Sequence, residues 1–387
     1  MTVGIICEYN PLHLGHRKQI KRIRETFGAD TSVVCAMSGN FVQRGAPAII
    51  DKSYRARAAV LSGADLVLEL PITVALSSAE GFAAGGVKQL SPMCDILCFG
   101  AETADAQLLM DTARALLSDA FPPLLKQHLE EGLSFPAARQ AALADMGMDA
   151  ALLASPNNIL AVEYCKAILS QGSTMGIFPI LREGSYHAEI ADESNPSATA
   201  VRNLMLYAHN WRSCVPRKAR EVFEEAPLHS TAAGERAILA RLRTMTDEEF
   251  EALPYGSEGL WRKFMHTSRR ENTLEDILAA TKSKRYTRTR LDRMMMCAFL
   301  GITRETLEME IPYNRVLAFT DRGRSILKDA KKAELYLNAG ESYPHPYWLL
   351  EQRCGDLYGL FATDAPEPPG AEERRRIFYH SEEQQKS

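Results

Sequence analysis

The chain has 387 residues, of which 46% are hydrophobic and 24% are charged, and its formal net charge is -4. These values indicate an ordinary soluble protein of two or three domains. No stretch approaches the roughly 18 to 20 uncharged apolar residues of a membrane helix, and the strand-like N-terminus with Glu8 does not have the form of a signal peptide. We therefore expect a cytoplasmic protein that does not enter a membrane.

The eight cysteines are scattered mostly among apolar neighbours, as expected for reduced thiols of a core. Cys94 and Cys98 are the closest pair, but no second pair or nearby histidine accompanies them. The sequence therefore does not predict a zinc site or any other metal site built from protein ligands.

The first element of the chain is a short apolar run, "VGIIC", which predicts a buried strand that ends in a loop at Glu8 and Asn10. From Gly15 onward, apolar residues recur at helical spacing until Gly28. A strand, a loop and a helix in this order open a parallel α/β sheet, whose ligands bind at the carboxyl ends of the strands. The free N–H groups at the helix start suit a phosphate.

The loop "NPLHLGH" contains two histidines, His13 and His16, with Gly15 between them. The imidazoles would add hydrogen-bond donors beside the helix start, and the glycine would let a phosphate approach the backbone. An H-x-G-H motif directly after a first strand resembles the nucleotidyltransferase superfamily that shares its site with class I aminoacyl-tRNA synthetases. Members bind ATP or CTP and direct attack at the α-phosphate. Because no G-x-x-x-x-G-K-[ST] loop occurs, a Walker-type ATPase is not expected.

Further strands alternate with helices along the next part of the chain. They are predicted at Val33 to Met37 and in "ADLVLELP", "CDILCFGAE" and "IFPILREG", with a helix from Ser53 to Ser62. The fold class is therefore α/β, a doubly wound parallel sheet that is Rossmann-like and of the HIGH-type nucleotidyltransferase kind. Candidates for the ligand-binding rim of this sheet are Ser38, Gly39, Asn40, Gln43, Arg44 and Gly100.

A second group of anion-binding residues follows later in the sequence. The segment "SPNNILAVEYCKAIL" predicts a helix with Asn157 in its first turn, and Arg182 ends the fifth strand. A hydroxyl pair at a helix start with an arginine one turn later forms another anion site. This pattern resembles the Ser-x-Thr-x-x-Arg element with which the superfamily holds the triphosphate, here Ser197, Thr199 and Arg202.

Six segments together resemble a narrower family. "EYNPLHLGH", "SGNFVQRGAPAI", "GADLVLELP", "FGAE", "SPNNILAVEY" and "NPSATAVR" are similar to bacterial tRNA(Met) cytidine acetate ligases across roughly residues 1 to 210. The resemblance implies that ATP, with Mg²⁺, activates acetate as acetyl-adenylate. The acetyl group then goes to N4 of the wobble cytidine of elongator tRNA(Met), which leaves AMP and pyrophosphate as products. Leu14 stands where many relatives have a polar residue.

The resemblance also implies site residues. His13 and His16 would be catalytic. The ATP-binding residues would be Ile6, Cys7, Glu8, Tyr9, Asn10, Pro11, Gly15, Arg17, Gln19, Gly100, Asn157, Arg182, Ser197, Thr199 and Arg202.

The C-terminal half is predicted to be mainly helical and carries a basic cluster despite the acidic net charge. Tyr286 lies within this cluster and Trp261 lies upstream, so phosphate contacts and stacking rings occur together, as in RNA-binding surfaces. An ordinary solvated surface remains the alternative. The predicted tRNA-binding residues are Lys282, Lys284, Arg285, Arg288, Arg290 and Arg293.

Three regions are expected: a nucleotidyltransferase-like catalytic domain over residues 1–210, a helical tRNA-binding region over 211–364, and a flexible tail over 365–387 that is rich in Pro, Glu and Gln. Two other functions stay open. One is a nucleotidyltransferase for a small phosphorylated metabolite, and the other is a non-catalytic RNA-binding protein with a decayed domain, against which the intact motifs argue. The sequence does not predict the oligomeric state.

Overall fold

The computed structural model describes residues 1–182, 196–208, 210–283, 285–330 and 335–381. Within them a sheet of eight strands forms the centre, and a short two-stranded hairpin lies apart from it. The strands are β1 (Thr2–Cys7), β2 (Ser32–Ser38), β3 (Phe41–Val42), β4 (Ala46–Pro47), β5 (Leu66–Leu70), β6 (Ile96–Ala101), β7 (Gly176–Leu181), β8 (Asn314–Thr320), β9 (Tyr336–Asn338) and β10 (Phe378–His380).

Helices cover both faces of the sheet and form most of the C-terminal half. They are α1 (Leu14–Phe27), α2 (Lys52–Leu61), α3 (Ile72–Ala75), α4 (Ala79–Leu90), α5 (Ala106–Leu117), α6 (Phe121–Glu130), α7 (Phe135–Asp145), α8 (Pro156–Ser170), α9 (Ala198–Asn203), α10 (Arg217–Glu224), α11 (Thr231–Thr244), α12 (Asp247–Glu251), α13 (Leu260–Ser268), α14 (Leu274–Thr281), α15 (Arg288–Leu300), α16 (Arg304–Leu307), α17 (Asp321–Asp329), α18 (Pro346–Tyr358) and α19 (Ala371–Arg374).

The strand order of the sheet is β10-β8-β5-β2-β1-β6-β7, with β9 beside β8. The strands from β5 to β7 in this order are parallel to one another. The chain moves from β1 outward to β5 and then returns to the other side of β1 through β6. A crevice therefore opens at the carboxyl ends of β1 and β6, where the direction of winding reverses. This arrangement confirms the predicted doubly wound α/β fold class.

Both faces of the sheet are covered, which explains why its strands are almost continuous apolar runs. The face toward α4, α5 and α8 buries Phe82, Leu109 and Val162. The opposite face, toward α1 and α2, buries Ile23 and Ala59. The two layers of helices hold the strand ends in place, so that the carboxyl ends of β1, β6 and β7 lie along one edge.

The C-terminal part of the chain returns to this sheet, which differs from the predicted domain division. Strand β8 pairs antiparallel with β5, and β10 pairs parallel with β8. The helices α11 to α16 and α18 pack around a core of their own that includes Phe264, Leu291 and Trp348. The region is mainly helical as expected, but it also supplies strands to the catalytic sheet.

The described part of the expected flexible tail, residues 365–381, is packed against the domain. Its Glu372 forms ion pairs with Lys52 at 2.9 Å and with Arg315 at 2.6 Å. Arg375 pairs with Asp51, with 2.9 Å between Nη2 and Oδ2. All of these side chains except that of Asp51 are at most 9% exposed. The expectation of a flexible tail was wrong here because charges that suggest disorder in the sequence are paired inside the fold.

Candidate active site

The loop after β1 places two histidines at the start of α1. His13 is the N-cap residue, and its Nδ1 accepts a hydrogen bond from the backbone N–H of Gly15 at 3.1 Å. The backbone N–H of His13 in turn donates to Nδ1 of His16 at 3.2 Å. A ring nitrogen that accepts a hydrogen bond carries no proton, so a neutral ring bonded in this way has its proton on Nε2. Both imidazoles therefore keep an Nε2–H donor for a ligand.

Both histidines are neutral near pH 7. Burial lowers the pKa of His13 to about 3, and the positive charges of Arg182 and Arg202 contribute to this shift. Burial, His13 and Arg182 lower the pKa of His16 well below its ordinary value. Because two arginines from distant parts of the sequence act on the same ring, the three predicted anion-binding segments converge at this point.

Tyr9 packs against the histidine pair. Its ring lies edge-on to that of His16 with 4.9 Å between the centroids, and the rings of His13 and His16 are 3.8 Å apart. Tyr9 is 1% exposed, and its hydroxyl contacts the Cys35 thiol at 3.5 Å. Its contribution in this structure is to pack behind the imidazoles.

Arg55 fixes the loops around the histidines. It is fully buried, and its guanidinium donates to the carbonyl oxygens of Glu8 at 2.6 Å, Ile50 at 2.7 Å and Ser38 at 3.0 Å, and also to that of Gly39. The loops after β1 and β2 are thereby joined through one side chain. This role was not predicted, because Arg55 lies within the predicted helix from Ser53 to Ser62 and most of its carbonyl partners lie in other loops.

Glu8 and Asn10 tie the histidine loop to the hairpin of β3 and β4 and to the segment that follows it. A carboxylate oxygen of Glu8 accepts from the backbone N–H of Gln43 at 2.9 Å. The amide oxygen of Asn10 accepts from the backbone N–H of Ile49 at 2.8 Å. Both side chains thus use their oxygens on backbone groups, which stabilises the loop between β1 and α1.

The Ser-x-Thr-x-x-Arg element lies against the same loop. Ser197 caps α9 by accepting from the N–H of Ala200 at 3.1 Å. Arg202 donates to the Thr199 hydroxyl at 3.0 Å and to the backbone carbonyl of Asn10 at 2.7 Å. The last bond joins residues that are 192 positions apart. It brings a second helix start and a guanidinium to the histidine loop.

The third cation, Arg182, is held at the end of β7. Its Nη1 donates to Oδ1 of Asn157 at 3.2 Å, and Nδ2 of Asn157 donates to Oε1 of Glu102 at 2.6 Å. A Cβ on Gly100 would come within 3.0 Å of Cγ of Arg182, so the absence of a side chain there lets the arginine lie against β6. Sequence reasoning missed Glu102, although an acid at the end of the predicted strand segment "CDILCFGAE" was the available signal.

Several predicted site residues have other roles. Ile6 is buried against Gly86, and the side-chain amide of Gln19 donates to the backbone carbonyl of Cys98 at 3.5 Å. Arg17 is exposed on α1. Cys7 is half-buried at the end of β1, and Pro11 is buried in the loop that follows. These positions frame the site, and a direct contact with ATP stays a prediction for them.

The two rim candidates Asn40 and Arg44, which follow β2, have different roles. Asn40 is buried, with its amide bonded to Asp51 at 2.9 Å and to the backbone N–H of Lys52 at 2.8 Å, so it stabilises the start of α2. Arg44 is exposed at the tip of the hairpin between β3 and β4, and its charge acts on Arg202. Arg44 therefore belongs to the same electrostatic environment as the anion-binding residues.

Comparison with known proteins identifies the family. The model of the HIGH Nucleotidyl Transferase family matches residues 1–371. A tRNA(Met) cytidine acetate ligase of Clostridium novyi is 37% identical, with 85% of this chain and 87% of that protein covered. One of Alkaliphilus metalliredigens is 36% identical over 98% of this chain and 99% of its own length. The chain belongs to the tRNA(Met) cytidine acetate ligase family.

Solved structures of this ligase family agree with the fold. The chain superposes on the apo crystal structure of Thermotoga maritima TmcAL with a TM-score of 0.89 and 28% identity, covering 98% of this chain and 99% of the other. For the same protein bound with alpha-thio ATP the TM-score is 0.87 and the identity 29%, with the same coverage of both chains. The match therefore includes the returning strands β8 and β10 as well as the sheet around the histidines.

The basic cluster of this ligase family member is partly engaged within the protein. Arg288 pairs with both carboxylate oxygens of Glu275 at 2.7 Å. Arg290 donates to the Tyr255 carbonyl at 2.9 Å, and Arg293 donates to the Gln43 carbonyl at 3.4 Å. These three arginines help to hold α15 against its neighbours.

Two of the remaining basic residues of the cluster lie at the surface. Lys282 and Arg285 are exposed, and the ion pair of Arg285 with Glu258, at 3.0 Å, lies at the surface. Lys284 lies outside the described residues. The exposed members are thus the ones that the structure leaves accessible to a macromolecule.

Within the described ranges of this ligase family member, no group of three or more His, Cys, Asp or Glu side chains is arranged to hold a metal ion. None of the helices there is both long and apolar enough to cross a membrane. All eight cysteines are free thiols.

Proposed function

We propose that this protein activates acetate with ATP as acetyl-adenylate and transfers the acetyl group to N4 of the wobble cytidine of elongator tRNA(Met). The observation that carries the proposal is the convergence of His13, His16, Arg182 and Arg202 at the crevice between β1 and β6. The names of the relatives support the same reaction.

The triphosphate of ATP would lie between the starts of α1 and α9. Two Nε2–H donors come from His13 and His16, and neutral rings need no proton to donate them. Arg182 and Arg202 supply positive charge beside these donors. Helix N-termini add backbone N–H groups and a partial positive charge, which suit phosphate oxygens. These donors and positive charges would stabilise the negative charge that develops on the departing pyrophosphate.

In the first step a carboxylate oxygen of acetate attacks the α-phosphorus, the bond to the bridging oxygen breaks, and pyrophosphate leaves with its electron pair. Acetate is already ionised near neutral pH, so this step needs no general base from the protein. Catalysis then depends on placing the two reactants in line and on stabilising the leaving group. The fixed donors at His13 and His16 would serve this purpose.

In the second step N4 of the cytidine attacks the acetyl carbon, AMP leaves, and the nitrogen loses a proton. Cytidine N4 is a weak nucleophile, which explains the need for a mixed anhydride. The anhydride must be kept from water until the RNA arrives. The hairpin of β3 and β4 and helix α9 both contact the histidine loop, and they would shield the anhydride from water by flanking it.

The acceptor RNA would bind along α15 and the surface of α13. Lys282 and Arg285 offer exposed charge, and the Arg262 guanidinium lies over the ring of Trp261 at 5.0 Å, which makes a platform for stacking. Arg293, on the same side, contacts Gln43 of the hairpin beside the histidine loop. RNA on this surface would therefore reach the adenylate.

Mg²⁺ would come with the nucleotide, since phosphate oxygens and water can supply most of its ligands and would supplement the charge of the two arginines. Reduced thiols and a tRNA substrate both accord with a cytoplasmic location.

The test is ATP–pyrophosphate exchange with labelled pyrophosphate and a panel of carboxylates. We expect exchange with acetate in the absence of RNA. Exchange that requires a phosphorylated metabolite, with none on acetate, would instead support a metabolite nucleotidyltransferase. Absence of any exchange together with tight RNA binding would support a non-catalytic RNA-binding protein.

A further inference from the structure

The side chain of Glu102 links two of the predicted ATP-binding residues. It lies directly after β6, where its Oε1 accepts from Nδ2 of Asn157 at 2.6 Å and its Oε2 accepts from the backbone N–H of Asn158 at 2.8 Å. On its other side, Asn157 accepts from Nη1 of Arg182 at 3.2 Å through Oδ1. A continuous chain of hydrogen bonds thus runs from the end of β6, through the first turn of α8, to the end of β7.

The chemistry of these groups fixes their orientation. A carboxylate only accepts hydrogen bonds, a guanidinium only donates them, and an amide has one end of each kind. Glu102 therefore holds the NH₂ group of Asn157 toward itself, which leaves the amide oxygen for Arg182. Without the carboxylate, the amide could turn and present N–H groups to the guanidinium, and this bond would be lost.

We propose that Glu102 is a positioning residue for ATP, which sets the amide of Asn157 and through it aims the Arg182 guanidinium at the phosphates. The inference rests on the proposed function, in which Arg182 contacts the nucleotide. Two observations support it. The charge of Arg182 lowers the pKa of both His13 and His16, so the arginine lies near the histidine pair. The charge of Glu102 also opposes the effect of burial on the pKa of Arg182.

The substitution Glu102→Gln changes one oxygen into an NH₂ group and keeps the shape of the side chain. Its single oxygen can serve Asn157 or the backbone N–H of Asn158, but not both. If it serves Asn158, the amide of Asn157 must turn its oxygen away from Arg182. We expect the KM for ATP to rise about tenfold, the effect of one charge-assisted hydrogen bond. The KM values for acetate and RNA should be unchanged.

A second substitution can restore the chain of hydrogen bonds. In Glu102→Gln with Asn157→Asp, the new NH₂ group donates to the new carboxylate, whose other oxygen accepts from Arg182. The glutamine oxygen remains for the N–H of Asn158. All three bonds are then present at the original net charge, so the double variant should have a KM for ATP at least threefold lower than that of Asn157→Asp alone. Asn157→Asp alone places two carboxylates 2.6 Å apart. Its KM for ATP should therefore be higher than that of Glu102→Gln and that of the double variant.

Thr103→Val is the matched control. Thr103 holds the same helix start one residue on, because its hydroxyl accepts from Nδ2 of Asn158 at 3.2 Å, but it has no bond to Arg182. This variant should keep the wild-type KM for ATP even if its melting temperature falls. A rise in KM equal to that of Glu102→Gln would mean that the helix start as a whole is responsible, and would overturn the inference.

Direct binding separates this inference from the proposed function. The probe is an ATP analogue with a methylene bridge between the α- and β-phosphates, measured by titration calorimetry. Wild-type protein should bind it, Glu102→Gln should bind it about tenfold more weakly, and the double variant should bind it more tightly than Asn157→Asp alone. Equal binding by wild type and Glu102→Gln would refute the positioning role alone. No binding by wild type would refute the ATP site and the inference with it.

Discussion

The side chains of His13 and His16 both cap the start of α1, and His16 does so by accepting a hydrogen bond from the backbone of His13. Nδ1 of His13 holds the N–H of Gly15, and Nδ1 of His16 holds the N–H of His13. The two bonds satisfy backbone donors at the start of α1, and they also set the tautomer of both rings. Folding of the loop thus prepares two Nε2–H donors before any ligand arrives.

His13→Asn separates the capping role from the phosphate role. Asparagine is a good N-cap residue, so the helix start should persist, but the Nε2–H donor is lost. We expect acetate-dependent pyrophosphate exchange to fall on the order of 100-fold, with the melting temperature within a few degrees of wild type.

His345→Asn is its control, because His345 caps α18 through the same Nδ1 contact, to the N–H of Tyr347 at 3.1 Å. Exchange in this variant should equal that of wild type. If His13→Asn retained near wild-type exchange, the histidine would be a structural cap and our assignment of the loop would be incorrect.

Lys282 and Arg285, which are exposed, should contribute more to RNA binding than the half-buried arginines of α15. Lys282→Ala with Arg285→Ala should weaken binding of unmodified tRNA and lower the slope of its salt dependence, since each lost phosphate contact releases about one fewer counterion. Exchange with acetate in the absence of RNA should not change. A filter-binding series over salt concentration, alongside the exchange assay, measures both.

Arg114→Ala with Lys126→Ala is a control with one exposed arginine and one exposed lysine on α5 and α6. It should leave tRNA affinity unaltered. Equal losses in the two double variants would indicate a general charge effect and would remove the case for an RNA-binding surface at Lys282 and Arg285.

Glu372→Gln should destabilise the fold at neutral pH. Burial alone would raise the pKa of Glu372, but the charges of Arg375, Lys52 and Arg315 together lower it to about 2. Its stabilisation is therefore complete above about pH 4.5 and is lost as the pH falls toward 2. Removing one partner of a buried ion pair typically costs about 3 to 5 kcal/mol.

Urea unfolding of wild type and Glu372→Gln at pH 7 and pH 3 tests this. The difference in free energy of unfolding between the two proteins should be smaller at pH 3 than at pH 7. Glu373→Gln is the control, since this neighbouring carboxylate is exposed and bonds only the side chain of Gln352 among the described contacts. Equal effects of the two substitutions would show that the buried ion pairs do not hold the C-terminal segment.

Glu351 should have the opposite pH dependence. Burial and the neighbouring Glu69 raise its pKa to about 7, and Tyr313 donates to its Oε2 at 2.8 Å. The folded protein thus binds a proton that the unfolded chain has lost above pH 4.5, so this group makes stability fall as the pH rises from about 4.5 to 7. Glu351→Gln removes that cost. The free energy of unfolding of the variant should therefore increase relative to that of wild type by about 1 to 3 kcal/mol as the pH rises from 5 to 8. A constant difference across this range would contradict a raised pKa.

The sequence predicted those parts of the protein whose signals are local. The strand before His13, the glycine after it and the helix at Ser197 are each read from a few neighbouring residues. Glu102 and Arg55 were not found, because their partners lie on other elements and only the fold brings them together. The tail was misjudged for the same reason, since Glu372 and Arg375 meet Lys52 and Asp51 from more than 300 positions away. The pairing of Arg288 with Glu275 was not predicted either, because Glu275 lies on a different helix.

The central claim is that the adenylate formed at the histidine loop is delivered to a cytidine amine. The decisive measurement is incorporation of labelled acetate into RNA when the protein is incubated with ATP, Mg²⁺ and unmodified elongator tRNA(Met). We predict label in N4-acetylcytidine at the wobble position, and none when that cytidine is replaced by uridine, which lacks the exocyclic amine. Label that stays out of RNA while ATP is consumed equally well with a phosphorylated metabolite would contradict the account.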